Sequence, residues 1–457
     1  MTSTEINRRA ALAMGASLLG GCASGALNHM QPSPAFGWDM HRPEEAGVLS
    51  AGVDAIRAAI REDLAAHTHL SVVAAVARRN KLIMYDAFGV RDPVAQEPAR
   101  RDDIYRMMST TKEVTAIAVL MMADAGKLDV DDKVSRYLPT FANQTVAIAP
   151  PNFEADFADA TRRTAALQGV RRVPANRDIT IRDLLTHTSG LAGFSVTATP
   201  GIGALVNPIN PRAGETLAAY VPRLGAAVLD SQPGEKWAYS GLAGPDVLLR
   251  IVEIVSGQAA DTFLRERLFE PLDMHDTFFQ VPAEKQERLL PLFEMRDGAW
   301  KPGTTIFGGP TPNAVYPGPQ YTSGSAGLYS TAHDFMQLQA MLYNRGELNG
   351  RRVLSASAVR EMSRNQVGDK YAVVMPTFPD GLPRTAGMGF GFLVSVTMDP
   401  AASQSGRGRG SFGWDGAFGT DGWVDPEHDL FAVYFVQQNS WPARTAFQRA
   451  LRASLLS

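Results

Sequence analysis

Strand-forming runs lie at both ends of this 457-residue chain and helix-forming runs fill the middle, which sharply limits the folds open to it. Near the N-terminus, Val72-Val73-Ala74-Ala75-Val76-Ala77 and Leu82-Ile83-Met84-Tyr85 are short apolar runs joined by Arg78-Arg79-Asn80-Lys81. They read as a β-hairpin. Near the C-terminus, Gly389 to Val396, Gly413 to Val424 and Leu430 to Val436 read as three further strands, followed by a helix from Thr445 to Leu456. Helical patterns cover Ser50 to Ala66, Thr180 to Leu185 (with Thr180 and Asp183 as a capping box), Ala243 to Leu268 around Ser256-Gly257, Thr331 to Leu342 and Ser355 to Met362. The expected fold class is therefore α+β: an antiparallel sheet flanked by helices and built from both chain ends, with a mostly helical lobe inserted at about 115–345. Residues 143–176, with Pro150-Pro151, read as an irregular insertion. Lys301 to Gly327, rich in Gly and Pro, reads as a loop at a cleft mouth.

Within that frame, Ser109-Thr110-Thr111-Lys112 carries the chemistry. Positions i and i+3 lie on one helix face, so the lysine amine can reach the serine hydroxyl. A serine hydroxyl is a poor nucleophile until a neighbouring base removes its proton, and S-x-x-K supplies one. The tetrapeptide leads into Glu113 to Ala125, mostly apolar and ended by the C-cap pattern Gly126-Lys127, so Ser109 is expected at the start of a buried helix. Lysine in a first turn opposes the helix dipole, which makes Lys112 a poor decoration there. Lysine is also scarce in this chain, 8 residues against 36 arginines.

Other patterns exclude alternatives. The net charge is −3, with no basic field for nucleic acid. Gly408-Arg409-Gly410-Ser411-Phe412-Gly413 spells G-x-G-x-x-G but precedes a strand instead of opening a helix, so it does not signal a dinucleotide cofactor. There is no G-x-S-x-G, and the eight histidines form no H-E-x-x-H pair; neither a cofactor nor a metal is expected. Asp129-Val130-Asp131-Asp132 lacks the glycine and glutamate of a calcium loop. His187, at a helix end, reads as structural and not as a base.

The N-terminus reads as a leader and not as part of the fold. Asn7-Arg8-Arg9, an apolar stretch from Ala10 to Leu19, and Gly20-Gly21-Cys22-Ala23-Ser24 form a charged region, a short apolar region and a small-residue cleavage site. The arginine pair resembles a twin-arginine signal, and Leu19-Gly20-Gly21-Cys22 resembles a bacterial lipobox. The expectation is a signal peptide over 1–22, lipidation at Cys22, a tether over 23–40 and one folded domain over 41–457. The protein would be exported and periplasmic, touching the membrane only through its lipid.

Pro233-Gly234-Glu235-Lys236-Trp237-Ala238-Tyr239-Ser240-Gly241 extends the pattern, together with Leu184 to Leu191 and Gly324 to Thr331. With these in order, the chain resembles the serine β-lactamase and penicillin-binding-protein superfamily from about Arg42 onward, most closely the class C β-lactamases and family VIII carboxylesterases. The resemblance implies that Tyr239 lies beside Ser109 and Lys112 and relays protons. It implies that Trp414-Asp415-Gly416-Ala417 stands where β-lactamases carry K-T-G on an edge strand, with the Ala417 and Ser109 N–H groups as the oxyanion hole. The family's Y-x-N motif here reads Tyr239-Ser240-Gly241, so Gly241 replaces an amide donor to substrate. Trp414 replaces the motif lysine, and Asp415 would repel a substrate carboxylate. The expected activity is ester hydrolysis through an acyl-Ser109 intermediate on a small ester or amide substrate. A β-lactamase or D-alanyl-D-alanine carboxypeptidase, and a non-catalytic envelope protein, are the alternatives.

Overall fold

The computed structural model describes residues 36–66, 69–191, 201–303, 320–372, 385–403, 405–438 and 441–455. Cys22, the leader, and 304–319 of the Gly/Pro-rich loop lie outside them. Eight strands form the main sheet: β1 (Ser71–Arg78), β2 (Lys81–Asp92), β3 (Glu97–Pro98), β4 (Met388–Phe390), β5 (Ser395–Thr397), β6 (Phe412–Asp415), β7 (Asp421–Asp425) and β8 (Leu430–Phe435). Their spatial order is β4-β5-β6-β7-β8-β1-β2-β3, with every neighbour antiparallel. The first and last thirds of the chain thus meet where β1 pairs with β8, Val73 opposite Phe435 and Arg78 opposite Leu430.

Both faces of this sheet are covered. Every residue of β1 is buried, and its side chains alternate between two apolar clusters. Val72, Ala74 and Val76 join Leu430, Ala432 and Tyr434 of β8 on one face. There helix α1 (Ser50–Ala65) contributes Val53, Ile56 and Ile60, spaced for one helical face, against Phe447 and Leu451 of the terminal helix α5 (Trp441–Ala453). Val73, Ala75 and Ala77 join Phe431, Val433 and Phe435 on the other face, under helices α2 (Thr111–Asp124) and α4 (Ala332–Tyr343). Helix α3 (Gly244–Ser256) packs on α2. Residues Thr111 to Met122 of α2 are all buried, so this helix is enclosed on every side.

Three expectations need correction. Gly413 to Val424 is not one strand but the β6–β7 hairpin, with a turn in which Gly416 N–H donates to the Thr420 carbonyl at 2.7 Å and Gly419 takes φ +91°. Gly389 to Val396 is likewise a hairpin, β4–β5, turned at Gly391, whose N–H donates to the Val394 carbonyl. Residues 143–176 are not irregular. Thr145–Ile148 pairs antiparallel with Arg171–Pro174 and parallel with Val228–Leu229, and two short helices, Phe153–Ala158 and Arg163–Gln168, bridge the pair. The capping box of Thr180 and Asp183 is present. Thr331 and Ser355 stand outside their helices as caps, each accepting a backbone N–H three residues on.

Candidate active site

The Ser109 turn is held from two sides. Tyr105–Arg106 pairs with Tyr329–Ser330, and Met107 N–H donates to the Leu328 carbonyl at 2.9 Å. The chain then turns through a 3₁₀ segment, Met108–Thr110, into α2. Met108 adopts φ +50°, a left-handed conformation uncommon for a residue with a side chain. On the far side, Thr110 Oγ1 meets Thr420 Oγ1 at 2.9 Å, and Thr420 Oγ1 donates to the Met107 carbonyl at 3.0 Å. A Cβ at Gly416 would lie 2.3 Å from that same carbonyl, so only glycine lets the β6–β7 turn approach so closely. This stitching brings the Gly416-Ala417 backbone against the Ser109 turn. Neither the Ser109 nor the Ala417 N–H donates to a backbone oxygen among the described residues, and Ala417 is exposed.

Lys112 is fully buried and surrounded by oxygens. Its Nζ donates to the Gly241 carbonyl at 2.9 Å, the Ser325 carbonyl at 2.8 Å and Ser109 Oγ at 3.1 Å. Three donors of an ammonium match three acceptors. A neutral amine in the same place would give its two hydrogens to the carbonyls and turn its lone pair to Ser109. Tyr239 completes the group: its hydroxyl donates to Ser109 Oγ at 2.7 Å, and Lys112 Nζ lies 4.9 Å from its ring centroid. Ser109, Lys112 and Tyr239, 130 positions apart at the extremes, thus share one oxygen. Gly241 enters through its carbonyl and not through any side chain.

Trp414 stands beside Tyr239. Its ring is 5.8 Å from that of Tyr239 and 5.3 Å from Phe390, in a cluster with Trp237, Val367 and Tyr371. Asp415 does not carry the free charge expected of it. It pairs with Arg444 Nη1 at 2.8 Å, and Arg444 also lies 3.5 Å from Asp421. An ion-paired carboxylate has its field largely neutralised, so repulsion of a substrate anion by Asp415 falls away.

One position escaped the sequence reading. Asp246, fully buried in the first turn of α3, accepts from Tyr321 Oη at 2.5 Å, Ser323 Oγ at 2.9 Å and Ser325 N–H at 2.9 Å. It thereby holds Ser325, the residue whose carbonyl receives Lys112. Burial pushes the Asp246 carboxyl up to about 6, against the pull of those three donors. The one available signal was an aspartate in the first turn of a mostly apolar helix. His187, read from the sequence as structural, is buried against Tyr239 at 4.9 Å between ring centroids.

Comparison with known proteins adds to this geometry. The family model described as Beta-lactamase matches residues 56–457. The chain is 34% identical over 389 residues to an uncharacterized protein of Mycobacterium tuberculosis, covering 84% of this chain and 90% of the other. It is 30% identical over 398 residues to esterase EstB of Burkholderia gladioli, covering 83% and 88%. Among solved structures it is similar to a family VIII carboxylesterase, with a TM-score of 0.64 at 19% identity over 90% of this chain and 99% of that one.

Proposed function

The chain belongs to the beta-lactamase family, in the superfamily of serine β-lactamases and penicillin-binding proteins, and from that membership we propose that it is a serine hydrolase cleaving carboxylic esters through an acyl-Ser109 intermediate. The observation that carries this reading is the convergence of Lys112 Nζ and Tyr239 Oη on Ser109 Oγ, with Lys112 Nζ held in place by the Gly241 and Ser325 carbonyls.

Lys112 takes the Ser109 proton as Oγ attacks the ester carbonyl carbon. The carbonyl π electrons move to oxygen, which the N–H groups of Ser109 and Ala417 receive; donors placed this way typically contribute a few kcal/mol. As the tetrahedral intermediate collapses, the C–O bond to the alcohol breaks and the leaving oxygen takes a proton through Tyr239, resupplied from Lys112. Water then attacks the acyl-enzyme with the same groups in reverse, releasing the acid and restoring the serine. Every step uses the chain's own groups.

Esters are favoured over β-lactams by what borders the nucleophile. Gly241 offers no side-chain amide to a substrate amide, and Trp414 sets an aromatic wall where a lysine would hold a substrate carboxylate. A carboxylate desolvated there without a partner costs several kcal/mol, whereas an uncharged ester needs none and can lie along Trp414. The similarity to esterase EstB points the same way. The test is kcat/KM of the mature chain for nitrophenyl butyrate against nitrocefin. The ester is expected to exceed the β-lactam by about a hundred-fold or more, the equivalent of roughly 3 kcal/mol in transition-state binding. A value for nitrocefin equal to or above that for the ester overturns the assignment.

A further inference from the structure

His187 is a buried titratable residue that the chemistry above does not use. It is 1% exposed and its backbone sits at φ +55°, a conformation that a bulky side chain adopts only when its surroundings impose it. The imposition comes from a ladder between residues 187–190 and 230–240. Asp230 N–H donates to the Gly190 carbonyl, Gly234 N–H to the Thr188 carbonyl, and Ala238 N–H to the His187 carbonyl at 2.9 Å. One further contact departs from the backbone pattern: Ser240 N–H donates to His187 Nδ1 at 3.3 Å. The two N–H groups flanking Tyr239 therefore both end on His187, while its ring meets the Tyr239 ring at 64°.

We propose that His187 is the positioning residue that sets the Tyr239 hydroxyl on Ser109, acting as a neutral imidazole with its proton on Nε2. This rests on the reading of Tyr239 given above. Because Nδ1 accepts a hydrogen bond, the neutral ring carries its hydrogen on Nε2, which lies buried beside Trp237 and Phe390 with no hydrogen-bond partner among the described residues. A second proton would turn the acceptor into a donor facing another donor. Burial, and next the nearby Lys112 charge, hold the imidazole well below its ordinary value, so the acceptor persists across the working range. Among the described residues no hydrogen bond joins His187 to Ser109; it acts through Tyr239.

A double-mutant cycle tests this, because an effect exerted through Tyr239 must vanish when the Tyr239 hydroxyl is gone. His187→Phe keeps a ring and removes the acceptor. It is expected to slow fluorophosphonate labelling of Ser109, and kcat/KM for nitrophenyl butyrate, by roughly ten-fold, the scale of one buried N–H left unpaired. In a Tyr239→Phe background the same change is expected to cost less than about two-fold. Equal factors in both backgrounds overturn the inference. A Tyr239→Phe variant as active as the parent overturns the reading of Tyr239 itself, and the two failures are thus distinct. If His187→Phe does not fold, His187→Asn, whose Oδ1 can take the Ser240 N–H, completes the cycle with a smaller loss. Nitrogen NMR of the parent protein decides independently: an Nε2–H tautomer that does not titrate between about pH 5 and 8 supports the proposal. An Nδ1–H tautomer, or a titrating ring, contradicts it.

Discussion

Helix α2 sends two adjacent titratable residues into two different regions, and the regions treat them in opposite ways. Lys112, on the side of Ser109, meets three oxygens within hydrogen-bond distance, two of them carbonyls from separate loops. Glu113, on the side facing the sheet, has one oxygen accepting from Gln339 Nε2 at 3.0 Å and a second oxygen with no hydrogen-bond partner among the described residues. Both side chains are fully buried. A buried charge must be paired or neutralised, and the two sides of one helix display both solutions. The Ser109 side supplies two carbonyl dipoles aimed at the amine and keeps it next to the serine hydroxyl. The sheet side supplies almost nothing, and burial pushes the Glu113 carboxyl up to about 8, so that it holds its proton at neutral pH. The first region surrounds its buried group with hydrogen-bond partners, as the proposed base requires; the second leaves its group to stay neutral in the core.

The sharpest way to break this comparison is to neutralise each residue in turn. Lys112→Met, which keeps length and removes the amine, is expected to lower kcat/KM on nitrophenyl butyrate by several orders of magnitude, as loss of one member of a cooperating catalytic set does. Glu113→Gln, which mimics the protonated acid, is expected to leave the same quantity within a few-fold. Comparable losses in the two variants would show that α2 tolerates no polar change, and the contrast between its sides would collapse.

A smaller effect sharpens the Glu113 half. Its carboxyl is raised in the folded state, so the folded protein keeps a proton that the unfolded chain releases above the ordinary carboxyl range. Stability is then fully present below about pH 4.5 and is lost as pH rises toward about 8. The contribution is on the order of a few kcal/mol. Denaturant unfolding at about pH 5 and pH 8 is expected to show a decline in the parent protein that Glu113→Gln makes shallower. An identical decline in both would mean that Glu113 ionises inside the fold at little cost.

Much of the catalytic side was legible in the sequence because its signals are local. Ser109 and Lys112 are three positions apart, across the 3₁₀ turn that leads into α2, and the mostly apolar run after them forecasts an enclosed helix, which α2 is. Tyr239 came from a motif and not from spacing, since 130 positions separate it from Ser109. The joining of both chain ends into one sheet was readable from where the strand-forming runs lie. The hairpin turns within Gly413 to Val424 and Gly389 to Val396 were not, because Gly-Ala-Phe-Gly and Gly-Phe-Leu-Val look as strand-like as their flanks. Only the backbone shows Gly419 at φ +91° and Leu393 at φ +56°. The small sheet of Thr145–Ile148 was hidden for a different reason: one of its partners, Val228–Leu229, lies far along the chain. The partner of Asp415 was beyond reach in the same way, since Arg444 stands on the terminal helix.

The central claim is that Ser109 is acylated during ester turnover, and it can be observed directly. The purified protein is mixed with nitrophenyl butyrate, quenched in acid within the first turnovers and digested for mass spectrometry. The account predicts one butyryl group on the Ser109 peptide, absent in Ser109→Ala, which should also lose turnover by several orders of magnitude. A butyryl group on another serine, or hydrolysis that persists in Ser109→Ala, would contradict it.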